Sequence, residues 1–146
     1  EPEIAPVLDA GRIIEHQALV RDVAIAPHVQ DYAVRVVLST PPKGELGGGE
    51  FATPMVLRFV RVGASPRAAQ ALVLAGKCRA LLDGRPAVSV ADIQSVAAAA
   101  LRHRLILNFE AQAEGVTADA IVRNIIDTLP VGVDDAVMRK LAGGAA

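Results

Sequence analysis

At Asp9, Pro27, Thr53-Pro54, Ser65-Pro66, Ser89 and Thr117 this chain repeats one instruction: a residue suited to a helix start stands just before apolar residues at helical spacing. Stops are written as clearly. Pro41-Pro42 and Pro130 cannot continue a helix, and Asp83-Gly84 supplies the left-handed residue that closes one. Starts and stops this close together leave little room for anything but helices of moderate length, so the chain reads as mainly α.

Asp9 caps a helix reaching about Arg21, with Ile13, Ile14, Gln17 and Val20 at helical spacing. Val23-Ala24-Ile25 is long enough only for a strand-like link. Pro27 opens a second helix through Val29, Ala33, Val36 and Val37. Residues 42–53 form a glycine-rich insertion with no apolar period, predicted to be a flexible excursion. It is no phosphate loop, because Lys43 precedes the glycines and is followed by Gly44, whereas a P-loop ends its glycine run on lysine and then serine or threonine. Thr53-Pro54 starts a short helical piece through Met55, Leu57 and Phe59.

The helix beginning at Pro66 is apolar nearly all round and is expected to be central, with Ala71, Leu74, Cys78 and Leu81 on one face and Cys78 as a small core residue. Ser89-Val90-Ala91-Asp92 is an acidic capping box. It opens a helix that points Ile93, Val96, Ala97, Ala100 and Leu101 inward and carries Arg102, His103 and Arg104 in its last turns. Thr117 caps a final helix through Ile121, Val122, Ile125 and Ile126, and residues 132–146 form a tail with a weak helical segment at 134–141.

Composition excludes several classes. Lys+Arg 15 against Asp+Glu 16 gives a net charge of −1, which offers no electrostatic case for nucleic acid or an anionic membrane. No apolar run reaches the length of a bilayer span and no charged-then-apolar leader is present, so the expectation is a soluble, cytoplasmic protein. Cys78 stands alone, which rules out an internal disulfide. His16, His28 and His103 share no ligand spacing with one another or with a carboxylate cluster, so no metal site is expected. Glu110 and Glu114 lie i,i+4 and read as a solvated face. No nucleophile elbow and no other catalytic arrangement is present.

One local oddity remains. In Gly63-Ala64-Ser65-Pro66-Arg67-Ala68, Ser65 suits the N-cap and Pro66 the first helical position, which puts Arg67 in the first turn. That end of a helix is positive, so an arginine there is mildly unfavourable unless an anion such as phosphate sits nearby; otherwise it is an ordinary solvated arginine. The triplet Arg102-His103-Arg104 is open to the same two readings, since a helix C-terminus favours cations in any case.

Three stretches taken together, Gly63-Ala64-Ser65-Pro66-Arg67-Ala68, then Leu101-Arg102-His103-Arg104-Leu105-Ile106-Leu107-Asn108-Phe109-Glu110-Ala111, then Glu114-Gly115-Val116-Thr117, resemble the C-terminal helical lid of MoxR-type AAA+ ATPases. The resemblance covers residues 22–129. It implies a helical bundle of about four main helices with minor short strand pieces, occupying residues 1–131 as one lid domain. It also implies that Arg67 is the sensor 2 arginine that meets the γ-phosphate of ATP, with Ser65, Pro66 and Arg67 forming a nucleotide-facing helix start. ATP with Mg2+ would then be bound mainly by an α/β core carrying Walker A, Walker B, sensor 1 and an arginine finger, none of which is written in this sequence. The implied partners are that core, further copies in a ring, and von Willebrand factor A domain proteins, in chaperone-like assembly or remodelling. The lead-in Phe59-Val60-Arg61-Val62 lacks the aromatic that the family places before the motif glycine, and the glycine-rich insertion is longer than its usual connection. The fragment alone is expected to be inactive as an ATPase. A helical interaction module without a nucleotide role also accounts for the helices, though not for Arg67. A small DNA binder fits less well, since the basic residues gather on no single helix.

Overall fold

The computed structural model describes residues 7–42 and 51–132. The glycine-rich residues 43–50 and the segment 134–141 lie outside the described residues. Along the chain run α1 (Ala10–Asp22), β1 (Ala24–Ile25), α2 (Pro27–Leu38), α3 (Pro54–Phe59), β2 (Val60–Val62), α4 (Arg67–Leu82), β3 (Ala87–Val88) and α5 (Val90–Leu101). A 3-10 turn (Arg102–Arg104), β4 (Ile106–Leu107), α6 (Phe109–Ala113) and α7 (Ala118–Thr128) complete it.

Local hydrogen bonds explain where the helices begin. An exposed backbone N–H in the first turn needs an acceptor, and a short polar side chain just upstream supplies it. Asp9 accepts from the Arg12 N–H at 2.8 Å, Thr53 from Val56 at 3.2 Å and Thr117 from Ala120 at 3.2 Å. At α5 the box closes both ways: the Ser89 hydroxyl accepts from the Asp92 N–H at 3.3 Å, and Asp92 accepts from the Ser89 N–H at 2.8 Å. α2 starts on Pro27 without a side-chain cap. Gly84, at φ 71, closes α4 as its sequence position predicts.

The bundle is organised around α4, which is packed by α1, α2, α5 and β3. Its buried row is Ala68, Leu72, Gly76 and Ala80, spaced four apart. A Cβ on Gly76 would stand 2.8 Å from Ile93 Cδ1, so the missing side chain is what lets α5 come this close. Facing this row are Ile93, Ala97 and Leu101 of α5 and Tyr32, Ala33 and Val36 of α2, while α7 packs on α5 and buries Ile121, Val122 and Ile125. α2, α4, α5 and α7 thus carry the core. α1 forms as expected but buries none of its residues, and Ile13 and Ile14 are 46% and 66% exposed.

Two short strand pairs tie the bundle together. β1 and β3 run parallel, with Ala24 opposite Ala87 and Ile25 opposite Val88. β2 and β4 run antiparallel, with Val60 opposite Leu107 and Val62 opposite Ile106, which leaves Arg61 as an extra residue at an irregularity.

Several local expectations need correction. Cys78 is half-buried and Leu74 is 51% exposed, because the row facing the core is the Ala68–Ala80 one rather than theirs. Arg102, His103 and Arg104 are not the last turns of α5 but a separate 3-10 turn. Glu110 and Glu114 are half-exposed yet not merely solvated: both grip Arg58, tying α6 to α3.

Candidate functional site at the start of the central helix

The motif Gly63–Ala68 is held against the end of α2 at its first two residues. A Cβ on Gly63 would lie 2.4 Å from both Pro41 Cα and Pro41 N, so the Thr40-Pro41 backbone fits only over glycine. Next to it the Ala64 N–H donates to Thr40 Oγ1 at 2.8 Å, and that hydroxyl donates to the Val37 carbonyl at 2.7 Å. Thr40 is fully buried and Ala64 nearly so. The chain therefore leaves β2, locks onto α2 and turns directly into α4. Thr40 is a site-building residue that the sequence reading missed. Its only signal was a hydroxyl residue wedged between a helix end and Pro41-Pro42.

Beyond this lock the three candidate residues Ser65, Pro66 and Arg67 stand together and exposed. Ser65 does not cap through its side chain. The Ala68 N–H that its hydroxyl would take is held instead by the Ser65 carbonyl at 2.8 Å, and Pro66 sits in helical conformation as the boundary residue. The hydroxyl is left facing solvent. Arg67 is the first residue of α4, with no acidic residue in that turn and no ion pair among the described residues. The Ala68 and Ala69 N–H groups are taken by the Ser65 and Pro66 carbonyls, so the positive charge on this exposed corner is the Arg67 guanidinium at the positive end of the α4 dipole.

An apolar groove of about 530 Å³ adjoins this corner, with Val34, Val37 and Leu38 of α2 on one wall and Gly63, Ala64 and Pro66 on the other. A second hollow of about 480 Å³ shares Val34 and Ala69 with it and continues between α2 and α4 toward Lys77.

Several other arginines have structural employment, whereas Arg12, Arg21, Arg61 and Arg123, like Arg67, make no side-chain hydrogen bond or ion pair among the described residues. Arg102 Nε donates to the Ala98 carbonyl at 3.2 Å and pairs with Asp119 at 3.2 Å; Arg104 Nε donates to the Ala100 carbonyl at 3.0 Å. They satisfy carbonyls at the end of α5, as the helix-terminus reading anticipates. Arg85 links the end of α4 to the start of α5 through Asp83 and Asp92. The Arg85 hydrogen bonds, reinforced by the Ser89 N–H and hydroxyl, hold the buried Asp92 carboxyl well below the ordinary carboxylate range. Among the described residues no three His, Cys, Asp or Glu side chains stand close enough to hold a metal ion, and no helix is long and apolar enough to cross a membrane.

Comparison with known proteins gives this corner a context. The family model for the AAA lid domain matches residues 55–125. Chaperone MoxR1 of Mycobacterium tuberculosis is 29% identical over 139 residues, covering 95% of this chain and 36% of that protein. The uncharacterized protein YeaC of Bacillus subtilis is 32% identical over 136 residues, covering 93% of this chain and 38% of its own length. Protein MoxR of Paracoccus denitrificans is 37% identical over 76 residues, covering 51% of this chain and 22% of that one. The chain spans little more than a third of the first two of these relatives. A crystal structure from Cytophaga hutchinsonii, of a protein described as a candidate ATPase, superposes with a TM-score of 0.75 at 28% identity, over 84% of this chain and 36% of that one.

Proposed function

Because the chain is a lid domain of the MoxR-type AAA+ ATPases, we propose that it serves as the helical lid over the nucleotide of such an ATPase, with Arg67 reaching the γ-phosphate and coupling nucleotide state to chaperone-like work on other proteins. The observation that carries this reading is the built corner: Gly63 and Thr40 fix the take-off of α4, and the residue so fixed is an exposed arginine without a carboxylate partner. A fold that needed only a helix start there would gain by an acidic residue in the first turn.

The residues present suit one part of nucleotide binding. The Arg67 guanidinium fits the terminal phosphate of ATP, while the Mg2+ ligands and the group that orients water would come from an α/β core of the same or a neighbouring subunit. Phosphoryl transfer is accelerated mainly by positioning and by charge stabilisation, and an arginine delivered by a separate domain supplies both only when that domain is closed. Ser65 and Pro66 shape the approach and Arg67 bears the charge.

The test is made in a full-length ATPase containing this chain. Arg67→Ala should lower steady-state ATP hydrolysis by on the order of a thousandfold, the scale on which such arginines act, while thermal melts stay within about 0.5 kcal/mol of wild type, as expected of a surface substitution. Arg67→Lys should rescue poorly, since a point charge on a flexible stem does not reproduce the planar fork that pairs with phosphate oxygens. Near-normal hydrolysis in the alanine variant would end this reading.

A further inference from the structure

Arg35 sits on the core-facing side of α2, is only 5% exposed and forms no ion pair among the described residues. Its Nη1 donates to the Pro130 carbonyl at 2.9 Å, its Nη2 to the Val131 carbonyl at 3.3 Å, and the Tyr32 ring lies 5.6 Å from the guanidinium carbon. Its Nε–H, also buried, has no acceptor. A buried cation is tolerated when an anion and a full set of acceptors meet it, and among the described residues no anion meets Arg35 and its acceptors are incomplete.

Beside Arg35 lies a cavity of about 190 Å³ whose walls include Ser39, Thr53 and Thr128 together with Phe51, Ile125 and Leu129. The hydroxyl protons are already spent: Ser39 donates to the Arg35 carbonyl, Thr53 to Asn124 Oδ1 and Thr128 to the Asn124 carbonyl. The Arg35 guanidinium, whose Nε–H has no acceptor and whose Nη groups each carry a second hydrogen, is therefore what an occupant would meet, inside walls that are otherwise largely hydrocarbon. A phosphate would leave most of its oxygens unbonded there. A carboxylate on a short hydrocarbon stem has two oxygens, which one guanidinium edge can meet, takes the positive field, and lays its carbons against Phe51, Ile125 and Leu129.

We infer that this cavity is a binding site for a carboxylate borne on a short aliphatic stem, with Arg35 as its counter-ion. The same chemistry is offered by a free short-chain acid and by a glutamate side chain of another polypeptide. The site is independent of the nucleotide-facing corner and stands whether or not Arg67 meets ATP.

The test uses the whole chain with three probes: butyrate, its uncharged twin butyramide, and a blocked tripeptide with a central glutamate. The Arg35 Nε–H resonance, assigned by its loss in Arg35→Met, should shift saturably with butyrate or the tripeptide and not with butyramide, and whichever binds more tightly identifies the source. At ten times the Kd the carboxylate should raise the wild-type Tm by about 3 °C or more and leave Arg35→Met unmoved. Methionine fills the space without a charge, so this variant should fold; if it does not, Arg35→Lys replaces it for the assignment and the wild-type titration decides. An Nε–H that ignores every carboxylate and shows exchange with a resident water, or an equal Tm rise in wild type and Arg35→Met, would overturn the proposal.

Discussion

Gly63 and Thr40 show how single residues set the geometry of the candidate site. An added methyl at Gly63 would meet backbone atoms of Pro41 at 2.4 Å, and backbone cannot swing aside as a side chain can. Gly63→Ala should therefore cost about 2–4 kcal/mol by displacing the end of α2 or the start of α4. Thr40→Val keeps the shape and removes the acceptor, which strands the buried Ala64 N–H, and should cost about 1–3 kcal/mol. Urea unfolding of the isolated domain measures both. Losses under half a kcal/mol would mean that the lock between the two segments is looser than its distances indicate. Neither effect was legible in the sequence beyond the presence of a glycine. The partner of Gly63 is more than twenty positions away along the chain, and only the folded backbone brings Pro41 to it.

At the level of elements, the join between α4 and α5 concentrates charge in one place. Asp92 is buried, completes the capping box of α5 and receives Arg85, so its folded-state pKa lies below the unfolded value. A depressed carboxyl contributes its full stabilisation above the unfolded pKa of about 3.9 and loses it as pH falls toward the folded one. Stability should thus decline below about pH 4. Asp92→Asn should cost about 1–3 kcal/mol at pH 7, by weakening the charged acceptor of the Ser89 N–H and hydroxyl, and should flatten that acid limb in melts taken from pH 2 to 7. By contrast Arg58→Ala, which frees the exposed Glu110 and Glu114, should change stability little, and less still in high salt. The two joins differ in how readable they were. Helix starts at Asp9, Thr53, Ser89 and Thr117 were legible because capping is settled within four residues. α6 was not resolved as an element, since five residues give no period, although Asn108 capping Ala111 at 2.9 Å was a usable signal. The strand pairs are two or three residues long and their partners lie more than forty residues apart, so no local pattern could set their register.

For the molecule as a whole, the proposed division of labour makes a prediction about the chain on its own. ATP hydrolysis needs a terminal phosphate held in line with an oriented water, a Mg2+ shared between phosphate oxygens, and positive charge where negative charge builds up. The described residues offer the last of these at Arg67. No carboxylate stands near enough in that turn to bind Mg2+ or orient water. A single exposed arginine at a helix start in high dielectric holds a phosphate weakly. Purified chain should accordingly release phosphate from ATP no faster than a blank and bind ATP only in the millimolar range or above, a Kd corresponding to about 4 kcal/mol. Supplying a MoxR-type ATPase core, by fusion or as a separate chain, should restore turnover that depends on Arg67. Phosphate release scaling with the isolated chain through repeated purification, and abolished by Arg67→Ala, would place the whole reaction within these 146 residues and refute the division. Failure of the Arg67 variant to matter even with the core present would instead leave the chain as a docking module, for which the apolar hollows between α2 and α4 are the surface to mutate next.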